Sequence, residues 1–237
     1  MAHRDAELHV GMTLLPQDPP LEARDLYRFF HAGDEETLAL CGVSLSLEPG
    51  EMVAILGPSG SGKSTLLACL AGLDEPDGGT VRIAGERITR RSAAERARVR
   101  ARCVGVLLQA GNLLEHLTVL GNVEIAQRVA GAHEADRARA LLAELDLERQ
   151  EDSRPSTLSG GEAARAGLAV ALANDPRVLL ADEPTAELDR LSEAAVLGLL
   201  TGLARAGGAV CVVTHSDHVA EAADRIVRLA DGNVVDG

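Results

Sequence analysis

The segment from Gly57 to Thr65 contains residue types whose spacing suits the binding of a phosphate group. Its sequence, GPSGSGKST, fits the pattern Gly-x-x-x-x-Gly-Lys-Ser, with Gly57, Gly62, Lys63 and Ser64 at the defining positions. Glycines allow successive backbone N–H groups to turn toward one anion, and the start of a following helix adds partial positive charge. We expect Lys63 to reach the β- and γ-phosphates of a nucleotide and the Ser64 hydroxyl to ligate Mg²⁺.

The residues on either side of this loop predict the strand and the helix that the pattern requires. Met52–Leu56 is a short apolar run typical of a buried strand, and residues 64–71 favour a helix that stops at Gly72. The structural alternative is a Gly- and Ser-rich turn that binds nothing. Because a lysine at a helix start is unfavourable unless an anion lies there, the sequence favours a phosphate site.

A second apolar segment ends in two adjacent carboxylates. Residues 178–181, VLLA, predict a buried strand, and Asp182, Glu183 and Pro184 follow it. We expect Asp182 to hold Mg²⁺ and Glu183 to act as the base that polarises an attacking water. An acidic turn after a buried strand is the structural alternative. The combination with the phosphate loop favours nucleotide hydrolysis.

Three further motifs complete an ordered set. LSGGE, residues 158–162, lies between the two segments above, LLADEPTAELD ends at Asp189, and AVCVVTH ends at His215. With these motifs in this order, the chain resembles the ATP-binding subunit of an ABC transporter from about Leu21 to its C-terminus. It is most similar to the lipoprotein-release and macrolide-export type. The resemblance implies ATP and Mg²⁺ as cofactors and ATP hydrolysis coupled to transport.

The resemblance also implies roles for individual residues. Ser159, Gly160 and Gly161 would contact the γ-phosphate of ATP held by the opposite subunit. Gln109 would sense the metal and the lytic water, Asp189 would belong to the loop joining the two sites, and His215 would hydrogen-bond the γ-phosphate. The expected catalytic residues are Glu183, His215, Gln109 and Lys63, and the expected metal site is Ser64, Gln109 and Asp182. The expected nucleotide-contacting residues are Phe30, Gly57, Pro58, Ser59, Gly60, Ser61, Gly62, Lys63, Ser64, Thr65, Gln109, Ser159, Gly160, Gly161, Glu162, Asp182, Glu183, Asp189 and His215.

LSGGE also has a purely structural interpretation. Ser159 and Glu162 have the spacing of a capping box, in which each side chain bonds the backbone of the other residue. A cap alone does not need Gly160 and Gly161, which weaken a first turn by roughly 1 kcal/mol each relative to alanine. We therefore interpret the segment as both a cap and a phosphate contact. Family members often have glutamines where this chain has Glu162 and then two alanines.

The chain's three aromatic residues all lie between Tyr27 and Phe30. The family stacks adenine on an aromatic residue that precedes a strand resembling residues 42–45, and alignment by that strand selects Phe30. If this stretch is extended, Tyr27 and Phe29 face the other side, so we expect them in the core. The alternative is that all three rings simply pack.

The predicted fold is an α/β P-loop NTPase. Its expected parts are a mostly parallel core sheet, an N-terminal antiparallel β-subdomain and an inserted helical subdomain. Residues 43–47 and 79–83 are the expected antiparallel strands, and residues 119–129 and 135–145 are the expected amphipathic helices. We assign 21–237 to one ATP-binding domain, with the helical subdomain at about 110–157. Residues 1–20 are expected to form a flexible tail that is neither signal peptide nor anchor.

Composition indicates a cytoplasmic protein, and the resemblance implies that it acts at the inner face of the cell membrane. No run approaches the ~20 apolar residues of a membrane span. The resemblance to a transporter subunit therefore implies separate transmembrane permease subunits, and it also implies a homodimer when ATP binds. The net charge of −13 opposes a polyanion. The arginine-rich stretch 87–102, with Glu86 and Glu95 among its arginines and no aromatics, predicts no nucleic-acid partner. It predicts instead a solvated helix, or one that faces lipid headgroups beside a membrane partner. Four scattered cysteines indicate reduced thiols rather than a metal site.

Two other functions use similar motifs. One relative of the export branch is a cell-division ATPase that regulates a hydrolase, and soluble ABC ATPases act in DNA repair, chromosome structure, translation or iron–sulfur assembly. The chain lacks the coiled-coil insertion of repair and chromosome members and the tandem cassettes of translation members. The cell-division and iron–sulfur roles therefore stay as alternatives to transport.

Overall fold

The computed structural model describes residues 18–32, 35–186 and 188–236. The predicted N-terminal tail lies outside the described residues except for positions 18–20. The strands are β1 (Leu21–Ala32), β2 (Glu35–Leu47), β3 (Met52–Leu56), β4 (Gly78–Ile83), β5 (Glu86–Arg87), β6 (Val104–Leu107), β7 (Val178–Asp182), β8 (Ala209–Val213), β9 (Arg225–Ala230) and β10 (Asn233–Asp236). The helices are α1 (Lys63–Leu70), α2 (Ala93–Cys103), α3 (Val119–Ala130), α4 (Ala135–Glu144), α5 (Gly160–Leu172), α6 (Arg190–Arg205) and α7 (Asp217–Ala222), with short 3₁₀ turns at Glu148–Gln150 and Pro155–Thr157.

The larger sheet has six strands in the order β10-β9-β3-β8-β7-β6. Neighbouring strands from β6 to β9 run parallel, and only β10 is antiparallel to its neighbour. This arrangement confirms the predicted, mostly parallel core sheet. Because parallel strands share a direction, the carboxyl ends of β3, β6, β7 and β8 meet at one edge, where α/β proteins bind ligands.

The smaller sheet has four strands in the order β2-β1-β4-β5, and every pairing in it is antiparallel. This confirms the predicted N-terminal antiparallel region. The expected strand at 43–47 is the end of the much longer β2, which spans 13 residues. Its partner β1 brings the N-terminal aromatic residues beside the larger sheet's ligand edge.

Two apolar cores cover the two faces of the larger sheet. Alternate residues of each strand enter different cores: Val178 and Leu180 pack with helix α1 and the smaller sheet, whereas Leu179 and Ala181 pack with helices α3 to α6. This alternation follows from the two-residue period of an extended strand. Both faces are covered, so the central strands β3 and β8 are apolar along their whole length, as the centre of a parallel sheet requires.

The helical region agrees with the expected elements, whereas the arginine-rich stretch does not form one helix. Helices α3 and α4 match the predicted helices at 119–129 and 135–145 to within one residue. In the arginine-rich stretch, Arg87 pairs with β4 as part of strand β5. The helix of this stretch begins only after Ser92, which caps α2. The prediction of a helix from residue 87 was therefore wrong, because Arg87 pairs with the smaller sheet instead of starting the helix.

The prediction that Tyr27 lies in the core was also wrong. Its side chain is 42% exposed, whereas Phe29 is half-buried. Register shifts on both sides of Tyr27 interrupt the pairing of β1 with β2, so strict alternation does not hold there. The tyrosine ring lies instead against two glycines, Gly42 and Gly78.

Among the residues that the structure describes, none of the helices is both long and apolar enough to cross a membrane. All four cysteines are free thiols, and burial raises the pKa of Cys69 and Cys211 to about 12. These two thiols stay protonated and unreactive at neutral pH.

Candidate active site

The phosphate loop joins the carboxyl end of β3 to the start of α1, as its pattern requires. Gly60 and Gly62 adopt positive φ angles of 81° and 100°. A Cβ atom at Gly62 would lie 2.3 Å from the Ala39 carbonyl oxygen, and one at Gly57 would lie 2.1 Å from the Leu229 carbonyl oxygen. Gly60 therefore needs glycine for its backbone conformation, Gly57 for the close approach of strand β9, and Gly62 for both reasons.

Lys63, the only lysine in the chain, begins helix α1. Its Nζ atom donates hydrogen bonds to the carbonyl oxygens of Gly57 (2.7 Å) and Pro58 (2.9 Å). No side chain of the described residues caps α1, and its first turn has no acidic residue. The ammonium group and the uncapped amide groups therefore create a positive region at this helix start.

The Ser64 hydroxyl and the Asp182 carboxylate meet beside this positive region. Asp182 ends strand β7, and its carboxylate lies close enough to the Ser64 hydroxyl for the two side chains to interact. Burial raises the pKa of Asp182 and the neighbouring Glu183 raises it further, while the Ser64 hydrogen bond and Lys63 act in the opposite direction. A hydroxyl and a carboxylate in contact offer the oxygen ligands that Mg²⁺ prefers.

Several hydrogen bonds hold the Glu183 carboxylate at the carboxyl end of β7. Its Oε1 atom lies 2.7 Å from Nδ1 of His215, and its Oε2 atom accepts from the Thr214 hydroxyl (3.3 Å) and the His215 amide (3.4 Å). Glu183 itself has a positive φ of 48°, an uncommon conformation for a residue with a side chain. Its amide donates to the Val213 carbonyl (2.9 Å), so β8 holds this strained backbone in place.

Gln109 follows strand β6 in a short loop that Asn112 shapes. The Asn112 side chain accepts a hydrogen bond from the Leu108 amide (2.8 Å) and donates one to the Leu108 carbonyl (2.6 Å). Gln109 was predicted from the sequence as a site residue, whereas Asn112 was not. Asn112 is three residues beyond Gln109, and this short spacing was the available signal for its role in the loop.

One cleft of about 610 Å³ brings most of the predicted site residues together. Thr37 and Ala39 of strand β2 also line it, and sequence reasoning missed both. Pro58 and Ser61 do not line the cleft, and the Ser61 side chain is buried. The predicted residues that line it are Phe30, Gly57, Ser59, Gly60, Gly62, Lys63, Ser64, Thr65, Gln109, Asp182, Glu183 and His215.

The LSGGE segment lies outside this cleft and forms the start of helix α5. The Ser159 hydroxyl accepts from the Glu162 amide (3.4 Å), and Glu162 Oε2 accepts from the Ser159 amide (2.8 Å) and hydroxyl (2.7 Å). Hydrogen bonds from the Ser159 backbone and side chain lower the pKa of Glu162. The structural interpretation of the segment as a capping box is therefore correct.

One glycine of this helix start is required by packing within the chain. A Cβ atom at Gly161 would lie 2.5 Å from the Ser192 hydroxyl, so α5 needs glycine there to approach α6. Asp189 caps α6 through the amides of Leu191 (2.9 Å) and Ser192 (3.1 Å) and, like the LSGGE segment, does not line the cleft. Within a single chain, the structure does not bring these predicted contacts to the phosphate loop.

Comparison with known proteins agrees with this geometry. A family model described as ABC transporter matches residues 40–186. The macrolide export ATP-binding/permease protein MacB of Rhodopseudomonas palustris is 47% identical over 218 residues, and that of Escherichia coli K12 is 42% identical over 220 residues. The matches cover 91% and 92% of this chain but 33% and 34% of the relatives. The chain thus spans about a third of the length of these relatives.

Solved structures extend the match to the fold. The dimeric structure of MJ0796, described as a bacterial ABC transporter cassette, is 37% identical with a TM-score of 0.85, covering 91% of this chain and 97% of that chain. The same values hold for MJ0796 in a post-hydrolysis state bound to ADP and Pi. These likenesses, the family model and the motifs that meet in the cleft agree. The chain belongs to the ABC transporter family, as one of its ATP-hydrolysing ATP-binding domains.

Proposed function

We propose that this chain powers an exporter of the macrolide-export type by binding and hydrolysing Mg²⁺·ATP between two copies of itself. One observation carries the proposal: the phosphate loop, the Asp182–Glu183 pair, Gln109 and His215 meet in a single cleft. In this proposal residues 21–237 are the ATP-binding domain, and the segment at about 110–157 is the helical subdomain. The relatives named above are export proteins, which favours transport over the regulatory and iron–sulfur roles.

The phosphate loop binds the triphosphate of the nucleotide. Lys63 exchanges its two bonds to loop carbonyls for the β- and γ-phosphate oxygens, and the uncapped amides of α1 face the same anion. Phe30, which is 43% exposed and lines the cleft, stacks on the adenine ring. The two contacts together orient the nucleotide from the phosphates to the base.

The residues present fit a magnesium ion. Ser64 and Asp182 are already in contact beside Lys63, and Gln109 lines the same cleft, so their hydroxyl, carboxylate and amide oxygens would hold the metal. When bound, magnesium would neutralise the charge that develops on the phosphates. The half-buried Asp182 favours such a partner because partial burial disfavours its charge without one.

Glu183 is the proposed general base. The Thr214 hydroxyl and the His215 amide fix the direction of its carboxylate, which can then accept a proton from a water aligned with the γ-phosphate. The His215 ring is 71% exposed, so it can turn from Glu183 to hydrogen-bond the γ-phosphate. Its departure leaves Glu183 Oε1 available to the water.

The active site is proposed to be completed by a second copy of the chain. Ser159 to Gly161 and Asp189 are outside the cleft of their own chain, which agrees with contacts made to the nucleotide of the opposite copy. Two such copies related by a two-fold axis would form two identical sites. The dimeric MJ0796 cassette supports this arrangement.

A separate apolar groove is the proposed contact with a membrane permease. It measures about 480 Å³ and is lined by helices α2, α3 and α5 and by the loop after Gln109. Five of its apolar side chains are unusually exposed, which is typical of an interaction surface: Leu73, Leu108, Leu114, Ile125 and Val129. The relatives' names join an ATP-binding part to a permease, so the proposed occupant is a permease segment. The protein would then act at the inner face of the membrane, without a nucleic-acid partner.

An assembly experiment tests the proposal. Glu183→Gln removes the base but keeps the Asp182 carboxylate, so turnover should fall about 10²- to 10⁴-fold while ATP still binds. Light scattering should show this variant as a monomer without nucleotide and as a dimer with ATP, because ligand bound between copies favours the dimer. Turnover at the normal rate would exclude Glu183 as the base.

Adding a bulky side chain to the helix start tests the contact in trans. Ser159→Arg in the Glu183→Gln background should abolish the ATP-dependent dimer while the monomer still binds ATP. Ser92→Arg is the matched control, because Ser92 caps α2 through the same type of capping box and does not line the cleft. A Ser159→Arg variant that dimerises like the control would reduce LSGGE to a helix cap.

A further inference from the structure

Phe30, the proposed stacking partner of the adenine base, has a cation against one face of its ring. The guanidinium carbon of Arg28 lies 4.7 Å from the centroid of the Phe30 ring. Both residues belong to strand β1, and Phe30 lines the nucleotide cleft. A ring has two faces, so one covered by Arg28 leaves the other for a ligand. Cations attract the electron-rich face of an aromatic ring at this distance.

The Arg28 guanidinium is held more firmly than a surface arginine would be. It donates to both oxygens of Asp74, from Nε (2.8 Å) and from Nη2 (3.1 Å). Its Nη1 atom donates to Asp77 Oδ2 (3.0 Å) and to the Phe29 carbonyl (3.2 Å). The side chain is only 20% exposed, and the Asp74 hydrogen bond is the main reason that the pKa of Arg28 is raised. Its position over the ring is therefore set by a planar, multiply bonded contact.

The cluster formed by Arg28, Asp74 and Asp77 also connects the neighbourhood of Phe30 to the phosphate loop. The amides of Leu73 and Asp74 donate to the Ala68 carbonyl (2.9 and 3.1 Å), near the carboxyl end of helix α1. Helix α1 begins at Lys63, in the phosphate loop. A rigid helix thus links the phosphate site at one end to the carboxylates that hold Arg28 at the other.

We propose that Arg28 is a positioning residue for base recognition, which sets the orientation of Phe30 relative to the phosphate loop and improves its exposed face for stacking. The inference rests on the proposed stacking of adenine on Phe30 and deepens it. The cation draws π-electron density toward its own side of the ring. An adenine on the opposite side then meets a less electron-rich face, which reduces the repulsion between stacked rings.

A purely structural role for Arg28 makes a different prediction. If the cluster only ties strand β1 to the loop at Asp74 and Asp77, its loss should lower stability and weaken all ligands of the cleft alike. If Arg28 instead positions Phe30, its loss should weaken only ligands that contain the adenine base. Adenosine diphosphate and inorganic pyrophosphate separate the two cases, because they differ by the adenosine that Phe30 would contact.

The experiment measures the dissociation constants of ADP and pyrophosphate by calorimetry, with Mg²⁺, and compares their ratio between variants. Phe30→Ala should reduce the pyrophosphate-to-ADP ratio by about tenfold, as expected for the loss of one stacking partner. Arg28→Met removes the guanidinium but keeps an unbranched, largely apolar side chain, and it should reduce the ratio roughly threefold, with pyrophosphate binding unchanged. Arg24→Met, on the same strand but paired with Glu22, is the matched control and should leave the ratio unchanged.

Each outcome decides the proposal. Equal weakening of both ligands by Arg28→Met, or an unchanged ratio, overturns the positioning role. Should Arg28→Met fail to fold, Arg28→Lys carries the test, because lysine keeps an ion pair but loses the planar, multiply bonded contact. Its ratio should also fall, and an unchanged ratio overturns the inference.

The test also separates this inference from the proposed function. An unchanged ratio in Phe30→Ala would overturn adenine stacking, and the role of Arg28 with it, while phosphate binding stands. A wild-type protein that binds neither ADP nor pyrophosphate would overturn the proposed function itself. In the double variant Arg28→Met/Phe30→Ala, the Arg28 change should have no further effect on the ratio, because its partner ring is gone.

Discussion

The two glycine-rich helix starts, those of α1 and α5, treat the unpaired amides of their first turns in opposite ways. Helix α1 begins at Gly62 and Lys63 with no side-chain cap and no acidic residue in its first turn. Helix α5 begins after Ser159 with a complete capping box, and the carboxylate of Glu162 lies in its first turn. The first four amides of any helix need an acceptor. At α5 the chain provides part of that acceptor itself, whereas at α1 the described residues provide no side chain.

The difference indicates which of the two helix starts is suited to hold an anion without help from another chain. The start of α1 combines uncapped amides with a lysine and is suited to an anion on its own. The start of α5 resembles that of α2, where Ser92 and Glu95 form an almost identical box of hydrogen bonds at 2.6–3.3 Å. Helix α2 continues with two alanines instead of two glycines. Any binding at α5 must therefore come from the bare glycine backbone and from a phosphate presented by another molecule.

The largest expected effect is at the α1 helix start. Lys63→Ala removes the ammonium that faces the loop and should abolish nucleotide binding in a fluorescence titration. Glu162→Ala at the other helix start is the matched comparison and should leave binding to the monomer unchanged. Retained ATP affinity in Lys63→Ala would remove the distinction between the two helix starts and, with it, the phosphate-loop assignment.

A smaller expected effect distinguishes the two roles of Ser159 at α5, as a helix cap and as a contact with a ligand. Ser159→Ala and Ser92→Ala each remove one capping hydroxyl and should each lower the free energy of unfolding by about 1 kcal/mol, measured by denaturant titration. In the Glu183→Gln background, only Ser159→Ala should also weaken the ATP-dependent dimer. If both variants weaken the dimer equally, the loss follows from helix stability and not from a phosphate contact.

The smallest effect concerns the charge of Glu162. Hydrogen bonds from Ser159 lower its pKa, so its ionised form stabilises the folded state above the pKa of the unfolded chain, and this contribution disappears as pH falls through the folded pKa. Glu162→Gln should therefore be slightly less stable than the wild type at neutral pH, with the difference shrinking below about pH 4. Glu95→Gln, whose pKa is lowered in the same way, should follow the same pH profile. A difference that grows on acidification would contradict this account.

The local elements were largely predictable, because each depends on neighbours in sequence. The strand before the phosphate loop, helices α3 and α4 and the capping box at Ser159 all follow from periodicity or from spacing within one turn. The errors at Tyr27 and at the start of the arginine-rich stretch have a common cause. Both segments lie in the smaller sheet, where register shifts and pairing with distant strands override local preference.

By itself the sequence determined the order of the motifs and the chemistry of each residue type, because a loop that surrounds an anion and a carboxylate pair after a strand are local patterns. Only the tertiary structure decided which of them meet. Parallel pairing of β3, β8, β7 and β6 aligns their carboxyl ends, so residues as distant in sequence as Lys63 and His215 line one cleft while Ser159 does not. The contact of Arg28 with Phe30, Asp74 and Asp77 likewise depends on the packing of strand β1 beside the end of helix α1, which no spacing in the sequence indicates.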